Sequence, residues 1–175
     1  MDGVHDMGGK KGFGLVSRVG QGAGAVAGFS HRWEAAVFAM SGIGPSVGAW
    51  NNSDRFRHAV ERIEPEAYLK HGYYGRWLGG IETLLVEAGI VSQVEITDRA
   101  RELGANERQL IAAKPLEQPD PLGALASTPG SERPIEAKAA FSLGDRVITR
   151  SEIIEGHTRL PAYARDKAGL IVASH

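Results

Sequence analysis

The chain has no cysteine among its 175 residues. This absence excludes disulfides, thiol nucleophiles and any thiolate metal site built from this chain alone. No apolar run approaches the roughly 18 residues of a membrane span. The first five residues also lack the basic start and apolar core of a signal peptide. We therefore expect a cytoplasmic protein.

The chain also lacks an excess of either charge. Its 20 Lys and Arg residues against 21 Asp and Glu residues leave a formal charge of -1, so no overall field favours phosphate backbones or acidic membranes. This balance disfavours a nucleic-acid function. Glycine and proline together account for 31 of the 175 residues, about 18%. This share lies below the roughly 25–30% at which composition alone indicates disorder. Most of the chain should therefore fold around a real core.

Glycine is concentrated at the N-terminus, where nine of the 23 glycines lie between Gly3 and Gly28. Such a segment has few large side chains to bury, so it must lie on another surface or stay mobile. Its glycines match neither G-x-G-x-x-G nor the P-loop pattern, which argues against a phosphate site. His5 with Asp2 and Asp6 could ligate a metal, but a solvated or partner-bound terminus explains them better.

Helical patterns follow this arm. Residues 31–40 favour a helix that Gly42, Gly44 and Pro45 end, and Ser53 or Asp54 could cap a second helix through Ile63. The strongest apolar stripe lies between 66 and 88 and predicts one long core helix ending at Gly89. A capping box that begins at Ser92 predicts a further helix to Gly104.

The pattern changes after residue 115. Five of the eight prolines lie between 115 and 134, a composition typical of a linker. Two short strands are predicted beyond it, at 146–150 and 169–173, with Gly144-Asp145 as a turn. Two strands alone are marginal, so this β unit looks incomplete.

Several polar and aromatic residues are candidates for function. Arg57 lies off the apolar stripe of its helix, and a lone helical arginine is usually a solvated surface residue. The loop between the two strands, GHTRLPAYAR at 156–165, is either functional or a plain surface loop. Tyr73 and Tyr74 point about 100° apart on a helix, so at least one hydroxyl should find a polar partner. The sequence shows no arranged set of triad partners for a serine nucleophile, which argues against serine-based catalysis.

Three separated stretches resemble the β subunit of nitrile hydratase: MDGVHDMGGKKGFG, RHAVERIEPEAYLKHGYYGRW and GHTRLPAYARDKAGLI. Their order and spacing agree with that family over nearly the whole chain. The resemblance implies an α+β fold with an extended, Gly-rich arm at 1–30 that wraps a partner subunit and a helical domain at 31–114. A Pro-rich linker at 115–138 and a partial SH3-like barrel at 139–175 would follow.

The resemblance implies a lyase that converts a nitrile and water to an amide and is active only with an α subunit, as a heterodimer or a dimer of heterodimers. That partner carries the iron(III) or cobalt(III) on a cysteine cluster with two oxidised sulfurs. By motif position, Arg57 and Arg159 would hydrogen-bond the oxidised sulfurs. Buried anionic oxygens need a planar donor that does not deprotonate, which suits arginine better than lysine.

The same resemblance assigns five aromatic residues. Tyr68, Tyr73 and Tyr74 match positions that face the α subunit or line the substrate pocket. Phe38 and Trp50 fall near positions that shape the pocket. The stretch between Trp50 and Arg57 is one residue longer here than the usual family spacing.

Family β subunits continue for several more strands past the KAGLI segment, whereas this sequence stops at His175. The barrel is therefore expected to be partial or completed by another chain, with an open edge at Leu170 and Val172. Two alternatives fit a short chain. One is a non-catalytic activator, or metallochaperone, that resembles the N-terminal half of the β subunit. The other is a subunit of thiocyanate hydrolase.

Overall fold

The computed structural model describes residues 3–8, 10–12, 28–106, 136–154 and 157–174. Five helices lie in its central part, followed by two short strands. The helices are α1 (Arg32–Ile43), α2 (Ser53–Arg62), α3 (Pro65–Lys70), α4 (Gly72–Glu87) and α5 (Gln93–Glu102), and the strands are β1 (Arg146–Ile148) and β2 (Ala168–Leu170). The mixture of helices with a small antiparallel sheet is compatible with the α+β class. No helix in these described ranges is long and apolar enough to cross a membrane.

The first two helices differ from the prediction at their ends. Helix α1 continues through Gly42 to Ile43 instead of ending near residue 40. Helix α2 is capped by Asn52, whose Oδ1 accepts from the backbone N–H of Arg55 at 2.8 Å, and not by Ser53 or Asp54. By residue type, Asn52, Ser53 and Asp54 can each cap a helix N-terminus. Asn52 is the cap because it has the extended φ and ψ that this position requires, whereas Ser53 and Asp54 already lie in the helix.

The predicted long helix at 66–88 is two helices. Pro65 opens α3, which ends before His71, and α4 begins directly after it at Gly72. Gly72 has a φ of +67°, a conformation that residues with a Cβ rarely adopt. The apolar stripe of the second helix is confirmed, since Ile81 and Leu84 are buried. The Ser92 capping box is also present, with reciprocal bonds between Ser92 and Glu95.

Helices α1, α2 and α4 enclose the core. Its buried members are Val37, Ala49, Trp50, Ala59, Ile81 and Leu84, and half-buried aromatic and leucine side chains of α2 and α4 pack against them. The axes of α2 and α4 come close at Gly80, where an added Cβ would lie 2.6 Å from Val60 Cγ2 and 3.2 Å from the Val60 backbone N. Glycine therefore lets these two helices approach.

Gly80→Ala is expected to destabilise the chain by about 1–3 kcal/mol, because the methyl group overpacks the contact with Val60 and its backbone. Urea unfolding followed by helical circular dichroism measures this change. Gly42→Ala is the matched control, since nothing lies within 4 Å of its added Cβ. There the substitution should be neutral or stabilise by about 0.4–1 kcal/mol. Equal effects of the two substitutions would contradict the close helix contact.

The two strands pair antiparallel, with Arg146 opposite Leu170 and Ile148 opposite Ala168. Gly144 adopts a φ of +89° in the turn before β1, as its glycine predicts. Leu170 and Val172 are 58% and 86% exposed. Within the described ranges the sheet has two strands, so a partial SH3-like barrel stays a prediction. The domain boundaries also stay predictions, because most of the arm and of the linker lies outside the described residues.

Candidate functional site

Helix α2 carries the first predicted arginine. The Arg57 side chain is 44% exposed, and its Nη1 lies 3.1 Å from Asp54 Oδ1. A second contact, from Nη1 to Ser53 Oγ, is 3.4 Å. Because both partners lie one turn earlier on the same helix, they hold the guanidinium against the α2 surface. The rest of the guanidinium is left for an outside acceptor.

Arg57 borders a cavity of about 480 Å³. The cavity is large enough for a small organic molecule, and its wall combines aromatic rings with one cation and one carboxylate. It is lined by His5, Ser53, Phe56, Arg57, Val60, Glu61, Tyr68, Tyr73 and Trp77.

Tyr68 is the buried tyrosine of this wall, with 9% of its surface exposed. The Arg76 guanidinium lies 4.3 Å from the centre of the Tyr68 ring, and Arg76 Nε donates to the Tyr68 carbonyl at 2.6 Å. Burial raises the pKa of the Tyr68 hydroxyl, which the charge of Arg76 partly opposes. The hydroxyl therefore stays protonated at neutral pH and can donate a hydrogen bond.

The other four aromatic candidates are placed differently from one another. Tyr73 lines the cavity and is 63% exposed. Tyr74 is not among the described residues that line this cavity, and its ring packs against Phe29 and Trp77.

Phe38, half exposed, contacts the rings of Phe29 and Trp77. Trp50 lies in the core with its indole against Gly44, where an added Cβ would be 1.9 Å away. A pocket role for Phe38 and Trp50 stays a prediction.

The second predicted arginine, Arg159, lies in the segment between β1 and β2. It is exposed and borders a smaller cavity of about 210 Å³. The other lining residues are His5, Asp6, Thr158, Leu160, Pro161 and Arg165. Since His5 lines both cavities, the Arg57 and Arg159 cavities are neighbours on one face of the molecule.

Two acidic side chains of α2 connect the segments that carry the arginines. His157 Nδ1 lies 2.7 Å from Glu61 Oε1, and His157 Nε2 lies 4.0 Å from Asp54 Oδ1, the same oxygen that faces Arg57. On its other side, Glu61 Oε2 lies 4.0 Å from His5 Nε2. Residues from three distant parts of the sequence therefore meet beside the two arginines.

Sequence reasoning did not select Glu61 or His157 as site residues. The available signals were weak: Glu61 lies one helical turn after Arg57, and His157 lies two residues before Arg159. The sequence analysis considered His5 and Asp6 as metal ligands and preferred a solvated or partner-bound terminus, and Asp2 lies outside the described residues. Across the parts of the chain that the structure describes, no group of three or more His, Asp or Glu residues could hold a metal ion.

Family models match nearly the whole chain. The family model described as nitrile hydratase beta subunit, N-terminal, matches residues 1–124, and its C-terminal counterpart matches residues 130–175. The chain belongs to the nitrile hydratase β subunit family. This membership confirms the resemblance drawn from the three sequence stretches.

Individual β subunits of this family are similar to the chain at about one third identity. The nitrile hydratase subunit beta of Pseudomonas chlororaphis is 33% identical over 98% of this chain and 70% of its own length. The corresponding subunit of Rhodococcus erythropolis is 35% identical over 98% of this chain and 72% of its own length. A relative from Rhodococcus rhodochrous, named a low-molecular weight cobalt-containing nitrile hydratase subunit beta, is 33% identical over 76% of its length.

Proposed function

We propose that this chain is the β subunit of an enzyme that adds water to a nitrile to give an amide, together with an α subunit that bears the metal. The observation that carries the proposal is the combination of the family match with two arginines on neighbouring cavities. Arg57 and Arg159 come from segments about 100 residues apart in sequence, yet both border cavities that share His5. A pair of planar cations suits the recognition of anionic oxygens.

The two arginines have a definite task in this proposal. Each guanidinium would donate hydrogen bonds to the oxygens of the oxidised cysteines on the partner subunit. These bonds would stabilise the negative charge of the oxygens and fix their orientation. The iron(III) or cobalt(III) bound by the partner would supply the Lewis-acid chemistry that hydration of a nitrile requires. Asp54 orients Arg57 before the subunits associate, because it lies 3.1 Å from the guanidinium. The ordering cost of binding is thereby reduced.

The aromatic wall has a second task. Tyr73 and Trp77 present apolar ring surface to the larger cavity, which favours the organic group of a nitrile over bulk water. The Tyr68 hydroxyl, whose pKa is raised by burial, is a candidate donor to substrate or to the partner subunit. Tyr74 would support the wall from behind, since its ring packs edge-on against those of Tyr73 and Trp77.

Co-expression with the α subunit from the same source tests this function. We expect a stable complex on gel filtration that contains iron or cobalt and produces an amide from a simple aliphatic nitrile. An α subunit that leaves the complex carrying metal, with no turnover in the mixture, would instead identify an activator. Release of carbonyl sulfide from thiocyanate without nitrile hydration would identify a thiocyanate hydrolase subunit. The match to the C-terminal family model at 130–175 argues against an activator that resembles only the N-terminal half.

A further inference from the structure

The N-terminal segment 3–8 lies between the helical part of the chain and the segment 157–166 that carries Arg159. On one side His5 faces Glu61 of α2 at 4.0 Å and meets the Tyr68 ring edge-on, with 6.3 Å between the ring centres. On the other side Asp6 Oδ2 accepts a hydrogen bond from the backbone N–H of Ala162 at 2.9 Å. The terminal segment thus touches both arginine-bearing parts of the chain.

The segment 157–166 is anchored independently at its two ends. His157 contacts Glu61 at one end, and at the other Thr149 Oγ1 donates to the Ala164 carbonyl at 2.5 Å. Between these anchors lie Arg159 and the 3₁₀ turn Ala162–Ala164. Asp6 reaches this middle part, because its carboxylate meets the N–H at the first residue of the turn. An anionic acceptor is well placed there, since the first amides of such a turn have no partner within it.

A second contact reinforces the first. Gly8 lies against the Tyr163 ring, where an added Cβ would be 2.5 Å from Cε1 and 3.0 Å from Cδ1. Tyr163 is the residue that follows Ala162 in the turn. Asp6 therefore contacts Ala162 by a hydrogen bond and Gly8 contacts Tyr163 by close packing, so the first two residues of the turn are both held.

We propose that Asp6 is a positioning residue for Arg159: its carboxylate fixes the Ala162–Ala164 turn and so sets where the Arg159 guanidinium stands relative to Arg57. This inference rests on the proposed function, in which Arg159 faces the oxidised cysteines of the partner. Asp6 touches neither substrate nor metal in this account. It acts through the backbone of the segment that bears Arg159, and it gives the N-terminal segment a role in the site.

The test compares Asp6→Ala, Asp6→Asn and Asp98→Ala in the complex with the α subunit. Asp98 is a matched control, because it is an exposed aspartate on α5 whose ion pair with Arg101 is local. Hydrogen–deuterium exchange of the peptide covering 157–166 reports the turn directly and does not depend on activity. Loss of the Asp6 hydrogen bond is expected to speed exchange of that peptide by about tenfold.

Activity measurements complete the test. Asp6→Ala is expected to lower kcat for nitrile hydration by about tenfold with little change in KM, because a displaced Arg159 affects the reacting centre more than substrate binding. Asp6→Asn keeps an acceptor oxygen and should restore most of both the slow exchange and kcat. Asp98→Ala should change neither quantity.

Two results for Asp6→Ala would overturn the inference while leaving the proposed function intact. One is unchanged exchange at 157–166 in Asp6→Ala, and the other is faster exchange with unchanged kcat. Failure of Asp6→Asn to restore either quantity would also overturn it, since the role assigned to Asp6 is acceptance from Ala162. If the complex lacked nitrile hydration altogether, the exchange data would still decide whether Asp6 holds the turn.

Gly8→Ala perturbs the same turn from its other contact and provides an independent variant. The new methyl group must displace the Tyr163 ring, so exchange at 157–166 should rise and kcat should fall. Tyr163→Leu removes the ring edge that the new methyl group would meet. In that background, Gly8→Ala should raise exchange and lower kcat less than it does in the unmodified chain. An additive outcome for the two substitutions would contradict the contact between Gly8 and Tyr163.

Discussion

Arg57→Lys is expected to lower nitrile hydration by the complex on the order of a hundredfold. Lysine keeps the positive charge but loses the planar fork of donors that can address two oxygens at once. Its ammonium group is also more strongly hydrated, so burial at a subunit interface costs more. Arg159→Lys should act in the same direction, because it occupies the neighbouring cavity on the same face. Amide production under substrate saturation measures both effects.

The control for these variants is Arg99→Lys. Arg99 lies on α5 in an exposed ion pair with Glu102, at 70% side-chain exposure, and its substitution should leave activity unchanged. Arg57→Lys can act either by preventing assembly of the complex or by lowering turnover within an intact complex, and both effects fit an interface role. Gel filtration distinguishes them, because it shows whether the complex still forms. Full activity in Arg57→Lys would contradict the role proposed for this arginine.

Glu87→Ala should destabilise the fold by about 3–5 kcal/mol, because it removes the carboxylate that faces the buried Arg62 guanidinium. Glu87 Oε1 lies 2.8 Å from Arg62 Nη1 and its Oε2 lies 3.6 Å from Arg55 Nη2. The side chains of Glu87 and Arg62 are each 7% exposed. This pair joins the end of α4 to α2, the helix that carries Arg57, so its loss should loosen the site together with the core.

Urea unfolding of the chain followed by helical circular dichroism measures this destabilisation. Glu102→Ala breaks the exposed pair with Arg99 and should cost less than about 1 kcal/mol, as surface pairs do. Glu87→Gln keeps the shape and one acceptor, so its effect should fall between the two alanine variants. A cost for Glu87→Ala no greater than for Glu102→Ala would refute the importance of the buried pair.

Local sequence patterns predicted several elements of this fold because the relevant interactions are themselves local. The capping box at Ser92 needs only residues three apart, and the turn at Gly144 needs only a residue that tolerates positive φ. The stripe of α4 likewise follows from helical periodicity. The break before Gly72 was missed, because it depends on the positive φ of Gly72, which an apolar pattern does not report.

The resemblance assigned all the aromatic candidates to the subunit interface or the substrate pocket, whereas the packed structure places them in different surroundings. Tyr68 and Tyr73 lie in the wall of the larger cavity, whereas Trp50 fills the core against Gly44. Side chains this large contribute mainly by burial, and only the packed structure shows which ring faces a cavity. The site assignments for Phe38 and Trp50 therefore stay predictions that structure-guided substitution must test.

By itself, the sequence determined the family and the helical centre followed by a short β unit, because each depends on motifs or periodicities within short stretches. Only the tertiary structure decided that His5 and His157 meet at Glu61, and that Asp6 reaches the turn after Arg159. His157 and Glu61 are 96 residues apart. No local pattern encodes such a contact, since it exists only after the helices have packed and brought both ends of the chain to one face of α2.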